Sequence, residues 1–480
     1  MKKSLFMLSA AALTLASCSQ EEVLNVATGN RDSKAIAFQA HTGKATRAND
    51  FNTSNLEAFK VFGYTGDIND LQDLHHENGS VTDNDLLTDY FGQAVEFTRT
   101  NEMWDGENGT GYLFTSEKPY YWPSDFSPLS FFAYAPTSLA MTANNKGEMH
   151  LDGFTVDENI ENQIDIIADC TPGRRDNDSE TEEYPVMPFW FNHALAKVYV
   201  AGAWCSDERF TYQVAGVKLG RVYKKGDYIF NKLDKLTIYE NLDETPLADN
   251  ELLSTDDHLY HFWTADKDSR GDFTYIFDEP VTIGTTETPI MNGGIDENGV
   301  VDKKGSFLMI PQQLICTPEK EYDANENVRK YKFDDNSAYI ALLIRITYDM
   351  GEGKDPRVVY PYAKGVDQIS ETIDGVKYAW AAFPVGSLWG ASFYTRYLID
   401  FSEGAGFVAP GSEGVDIVEV LGEDPVHKDL DYSPILGDKI RFIEEVLEWN
   451  SGSGNTVDQI NGEGVVDEAG FNDPDFDFGD

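Results

Sequence analysis

Apolar and polar residues alternate with a period of two through much of the chain. That alternation marks strands with one buried face, whereas amphipathic helices repeat apolar residues every three to four positions. Strands are predicted at Leu129 to Ala135, Gln163 to Ile167, Ala196 to Ala203, Ala338 to Tyr348, Arg357 to Tyr362 and Tyr394 to Phe401. Each is rich in β-branched and aromatic residues and is bounded by Gly, Pro, Asn or Asp. The stretch Ala338 to Tyr348 is nearly continuous apolar at its centre, the pattern of a strand covered on both faces. A shorter alternation around Ile36 and Phe38 predicts a first strand over about Ala35 to Ala40, followed by a basic, turn-rich loop from Lys44 to Ala48. Helical periodicity is rare, and Ile443 to Trp449 fits either period. No repeat of roughly 20 to 50 residues occurs. Many short strands with turn signals between them predict an all-β chain of packed sandwiches with few short helices.

The segment before the first strand reads as an address. Lys2 and Lys3 precede an apolar stretch, Ser4 to Leu15, that is too short to span a bilayer. Leu15-Ala16-Ser17-Cys18 then has the order of a bacterial lipobox. It predicts signal cleavage between Ser17 and Cys18, with lipidation at Cys18. Several acyl chains on that residue anchor a protein stably, where one holds it only marginally. Ser19-Gln20-Glu21-Glu22 resembles the surface-export signal of lipoproteins in Bacteroides-like bacteria.

Charge removes one class of partner. The 480 residues carry a formal net charge of -46, and losing Lys2 and Lys3 with the leader makes the chain more acidic still. Nucleic-acid binding, which needs a positive footprint, is excluded. Residues 451–480 hold acidic residues throughout and no Lys or Arg, the composition of a flexible tail. After Cys18 only Cys170, Cys205 and Cys316 remain, so neither a disulfide framework nor a CxxC metal knuckle is expected.

Candidate chemistry is sparse. His258 and His261 are three apart in a strand-like stretch, so their side chains face opposite sides and share no metal. Asp176 to Glu183 and Asp473 to Asp480 supply many carboxylates without the spacing of a calcium loop. There is no GxSxG, HExxH or phosphate-cradling GxxxxGK[ST]. No carboxylate pair stands out as a glycosidase acid and base. No catalytic residue, cofactor or metal site is assigned. His193, in an apolar strand, reads as a core histidine.

Six blocks in order carry a resemblance. Glu117 to Pro136 (EKPYYWPSDFSPLSFFAYAP), Gln163 to Asp169, Phe189 to Val200 (FWFNHALAKVYV), Phe307 to Leu314, Phe383 to Phe401 and Leu436 to Asn450 are similar to blocks of the fimbrillins, the pilins of type V pili in Bacteroides-like bacteria. The resemblance implies two tandem transthyretin-like β-sandwich domains, one over residues 48–205 and one over 206–450. It implies a propeptide over 18–47 holding the first strand, and maturation by an arginine-specific protease between Arg47 and Ala48. Shedding the first strand would leave an unpaired edge and an apolar groove that a strand of another pilus subunit fills by β-strand addition. The outer membrane is then a partner, through lipid, only before maturation, and the mature location is the cell surface. A host or bacterial surface receptor or glycan is a further partner this reading admits. Stalk pilins are expected to end in an apolar donor strand. The acidic end of this chain favours a tip or accessory position, unless Lys439 to Trp449 is the donor. The alternatives are a surface glycan-binding lipoprotein that stays anchored and, from a third class, a surface hydrolase.

Overall fold

A computed structural model describes residues 35–42, 55–71, 86–106, 109–125, 127–174, 186–231, 261–291, 305–314, 318–322, 328–333, 337–361, 370–402, 404–409, 417–418, 425–427, 435–436 and 440–448. These residues form strands almost throughout, and their one helix is the single turn at 68–71. The chain is all-β.

Seven strands of the first half form a ring. They are β1 (Phe38–Thr42), β2 (Ala58–Thr65), β3 (Val95–Gly106), β4 (Gly109–Ser116), β5 (Leu129–Ala135), β6 (Ile167–Arg174) and β7 (Met187–His193). Their neighbour order is β2-β3-β4-β1-β7-β6-β5, and β5 pairs with β2 again. An open sandwich is the expectation for this half; the sheet closes on itself instead. The cause lies in β2, whose residues 58–61 pair with β3 while 60–65 pair with β5. With both edges of β2 used, the sheet keeps no free edge along the ring. The inward rows fill the interior with large rings, among them Phe38, Phe59, Phe97, Phe114, Phe131, Phe189 and Phe191.

The second half is layered. One sheet contains β8 (Ala196–Trp204), β13 (Phe393–Asp400) and β14 (Arg441–Glu448), in that order. The other contains β10 (Arg270–Thr282), β9 (Phe210–Tyr223), β11 (Tyr339–Tyr348) and β12 (Val376–Pro384). They share one core, in which Phe442 of β14 meets Phe383 of β12 at 5.0 Å between ring centroids. The middle strand β11 is buried along its first six residues, as its continuous apolar run predicts.

A third sheet joins the halves: Met149–Thr155, which leaves the ring, pairs with Lys225–Phe230, and that strand with His261–Ala265. The outward residues Phe62, Tyr64, Phe132 and Tyr134 of the ring belong to the larger core of the second half.

Two strand predictions need correction. Gln163 to Ile167 is irregular up to residue 166, and the strand begins at Ile167. Gln163 and Asp165 are buried polar residues engaged in side-chain bonds, not an outward-facing row. The strand at Arg357 ends at Tyr360, before the cis Tyr360–Pro361 bond, not at Tyr362. Proline cannot donate to the ladder. Ile443 to Trp449, ambiguous in sequence, lies largely on the strand Arg441–Glu448.

Candidate functional site: the first strand and its slot

Alternation decides how β1 sits. Ile36, Phe38 and Ala40 point into the ring and are buried, while Gln39 and His41 lie on the other face. Both edges of β1 are paired. It runs parallel to β7 from Phe38↔Met187 to Thr42↔Phe191, and antiparallel to β4 at Phe38↔Phe114 and Gln39↔Leu113. Upstream, the Ile36 N–H donates to the Tyr120 carbonyl oxygen at 2.7 Å, and the Ala37 carbonyl accepts from Met187 at 3.1 Å.

Phe38 is the hub. Its ring lies 4.8 Å from Phe97, 5.0 Å from Phe131, 4.8 Å from Phe189 and 6.3 Å from Phe59, mostly edge to face. Burying such a side chain is worth about 1.5–3 kcal/mol, and favourable ring pairs add about 0.5–1.5 kcal/mol each. Without β1 the ring would be open between β4 and β7, with those phenylalanines lining a slot. On the outer face the His41 ring stacks on Trp190 at 4.2 Å, and Trp190 is 54% exposed. The Trp190 N–H donates to the Asp169 carboxylate at 2.6 Å. Burial pushes the His41 pKa down.

At the far end of β7 stands His193, fully buried, with its Nδ1 2.9 Å from the Asp165 carboxylate. This is the core histidine read from the sequence, with an acidic partner the sequence does not single out. It marks a polar joint between the halves. The Ser392 hydroxyl donates to the His193 carbonyl oxygen at 2.6 Å, and the Trp263 indole N–H to the Ala194 carbonyl at 2.6 Å. The Leu308 N–H donates to the Gln163 side-chain oxygen at 2.8 Å.

The last strand carries a second group that sequence reading missed. Glu444 faces the core of the second half beside its cross-strand neighbour Tyr397. Burial raises its carboxyl to about 7, and a hydrogen bond from Ser387 opposes that shift. The Ser387 and Tyr397 hydroxyls are 2.9 Å apart, and the Trp389 indole N–H donates to Tyr397 at 3.1 Å. On the opposite face of β14, Glu445 pairs with Arg396. The sequence signal was present: an acidic residue at the third inward position of Ile440-x-Phe442-x-Glu444.

Other sequence candidates are dispersed. Ser17, Cys18, Arg47 and Ala48 lie outside the described residues, as do His258, Cys316, Asp176 to Glu183 and the tail 451–480. His261 is a buried neighbour of Tyr228, whose hydroxyl is 2.8 Å from its Nδ1. Cys170 and Cys205 form no disulfide among the described residues. Among the described residues, no three His, Cys, Asp or Glu side chains converge as metal ligands.

A fimbrillin-like family model, Mfa_like_1, matches residues 46–317. The chain belongs to the fimbrillin-like family. The span matched in this fimbrillin starts just before Arg47, so β1 precedes it and β2 to β7 fall inside it. Over 209 residues the fimbrillin is 28% identical to fimbrium subunit Fim1C of Phocaeicola vulgatus, covering 41% of this chain and 50% of that protein. It thus spans about half the length of the curated relative it matches. Two solved structures are similar at low identity. A fimbrial protein from Bacteroides vulgatus aligns with TM-score 0.42 and 12% identity, over 87% of this chain and 99% of that one. A fimbrial assembly protein from Parabacteroides distasonis aligns with TM-score 0.31 and 9% identity, over 77% and 92%.

Proposed function

We propose that this fimbrillin is a structural or adhesive subunit of a cell-surface pilus that is held in reserve by its own first strand. It is exported as an outer-membrane lipoprotein through Cys18. Cleavage between Arg47 and Ala48 separates β1 from the rest of the ring, and a strand of another subunit takes its place by main-chain pairing. The observation that carries this reading is the seat of β1, paired on both edges with Phe38 among four phenylalanines. Severing the chain after Thr42 would leave that strand held by non-covalent contacts alone. The family-model match beginning at residue 46 agrees with a mature unit that starts near Ala48. A tip or accessory position is favoured over a stalk one. The chain is read as a leader over 1–17, a propeptide over 18–47, two folded units meeting near residue 205, and a tail from 451.

Replacing Arg47 tests this in cells. Arg47→Ala is expected to keep the chain lipidated and absent from pili, while the parent is incorporated. Incorporation of the variant at the parent level would refute processing at this position.

A second reading has its own observation. Trp190, 54% exposed and backed by His41, is a flat aromatic surface of the kind that stacks on sugars. It supports a surface glycan-binding lipoprotein that stays anchored. Sugar binding by the uncut protein that is lost in Trp190→Ala would favour it.

A further inference from the structure

Among the described residues, the first and last strands, β1 and β14 with the residues just before them, share a side-chain spacing. Ile440, Phe442 and Glu444 of the last strand follow one another as Ile36, Phe38 and Ala40 do, and all four Ile and Phe residues are at most 2% exposed. Laid into the slot of β1, the last strand of another molecule would put isoleucine and phenylalanine where the ring already holds them. The two strands part at the third position.

Ala40 is 2% exposed, lies opposite Phe189, and belongs to an interior cluster of hydrophobic residues. A glutamate there would bring a carboxyl into a space that holds a methyl group, against Met187, Phe189 and Phe191 on the inward row of β7, with Tyr112 of β4 only partly buried at the margin of the cluster. Burying an unpartnered charge or carboxyl costs several kcal/mol. In its own sheet Glu444 meets different chemistry. Tyr397 lies across from it, the Ser387 hydroxyl bonds it, and Trp389 bonds Tyr397 in turn.

We propose that Glu444 excludes the last strand of a second copy from the β1 slot, so that the slot accepts a strand of a different chain. This rests on the reading of β1 as a strand that is replaced. The partner is an extended segment with a large aliphatic, an aromatic and a small residue at alternate inward positions, running parallel to β7 and antiparallel to β4. Its outward residue after the small one faces Trp190, where His41 now stacks, which favours a planar side chain. The device is a repulsive one, in which a single residue rejects a near-match that main-chain pairing alone would admit.

The test uses the full chain with one engineered protease site replacing residues 45–48, cut so that β1 is held only by contacts. Labelled peptides of residues 33–43, of residues 438–448, and of residues 438–448 with Glu444→Ala compete for the slot, followed by native mass spectrometry and fluorescence anisotropy. The 33–43 peptide is expected to exchange in, and the Glu444→Ala peptide to compete at least ~10-fold better than its parent, the ratio that ~1.4 kcal/mol produces. Equal competition by the parent 438–448 peptide overturns the exclusion. So does a Glu444→Ala peptide that stays out while 33–43 enters, because the barrier then lies elsewhere. Failure of even the 33–43 peptide to exchange would instead overturn the replaceable-strand reading on which the proposal stands.

Discussion

The first strand is paired along both edges and buries Phe38 among phenylalanine rings, whereas the last is paired along one edge among the described residues and buries Phe442 beside a carboxyl. Both follow an Ile-x-Phe spacing, so the contrast comes from their seats rather than from their hydrophobicity. In the ring the neighbours of Phe38 are phenylalanines, with Tyr90, Tyr112 and Tyr120 at the margin of the cluster, and the strand is held mainly by shape and area. In the second half, hydroxyls and an indole N–H floor the seat, and a strand bearing an acid can lie there at a cost that depends on pH. Similar strands are thereby tied to different places, one by exclusion of polarity and one by tolerance of it.

The largest effect that sharpens this contrast is expected from Phe38→Ala. It should lower stability by about 3–5 kcal/mol, the range for emptying a buried aromatic site, and loosen the ring more than the second half. Urea melts with hydrogen exchange on β4 and β7 would check it. Equal loosening of β11 would break the comparison.

Glu444 gives the next largest effect, with a sign fixed by linkage. Its carboxyl is raised in the folded chain from 4.5 to about 7. Between those values the folded chain keeps a proton that the unfolded chain has released, so stability falls as pH rises through that window and levels off above it. Tyr397, Ser387 and Trp389 face the group, and no basic side chain contributes to its shift. Glu444→Gln should therefore match the parent near pH 4.5 and exceed it by about 3 kcal/mol at pH 8, given about 1.4 kcal/mol for each pKa unit. Parallel melting curves of the pair from pH 4.5 to 8 measure the difference, and curves that stay parallel would count against the buried acid.

Asp165→Asn is expected to cost about 1–3 kcal/mol, because it replaces the carboxyl that pairs with buried His193 at the joint between the halves. A variant with unchanged stability would mean that the other bonds of the joint, those of Ser392, Trp263 and Gln163, hold it without the acid. The smallest effect is on the outer face of the ring. Trp190→Ala should change stability by no more than about 0.5 kcal/mol, since the side chain is largely exposed. A larger loss would show that the His41 stack helps to hold β1.

Local alternation made much of this legible. Leu129 to Ala135 was readable to the residue, and Ala338 to Tyr348 to within one, because their apolar runs end at turns. The inward row of β1 was readable for the same reason. Closure of the ring was not, because it depends on β2 pairing with β5 across some seventy residues, and a period of two does not say which strand lies beside which. Gln163 to Ile167 misled because Asp165 counted as an outward polar position while its true partner, His193, lies 28 residues away. Ile443 to Trp449 carried both periods at once, and the acid at its inward position, Glu444, looks from sequence alone like a solvated one.

On the proposed function, β1 is a temporary occupant of the ring. N-terminal sequencing with intact-mass measurement of the protein recovered from the cell surface tests it most directly. A chain that begins at Ala48 and carries no lipid is the predicted result. A chain that begins at acylated Cys18, with β1 still joined to the ring, would contradict it.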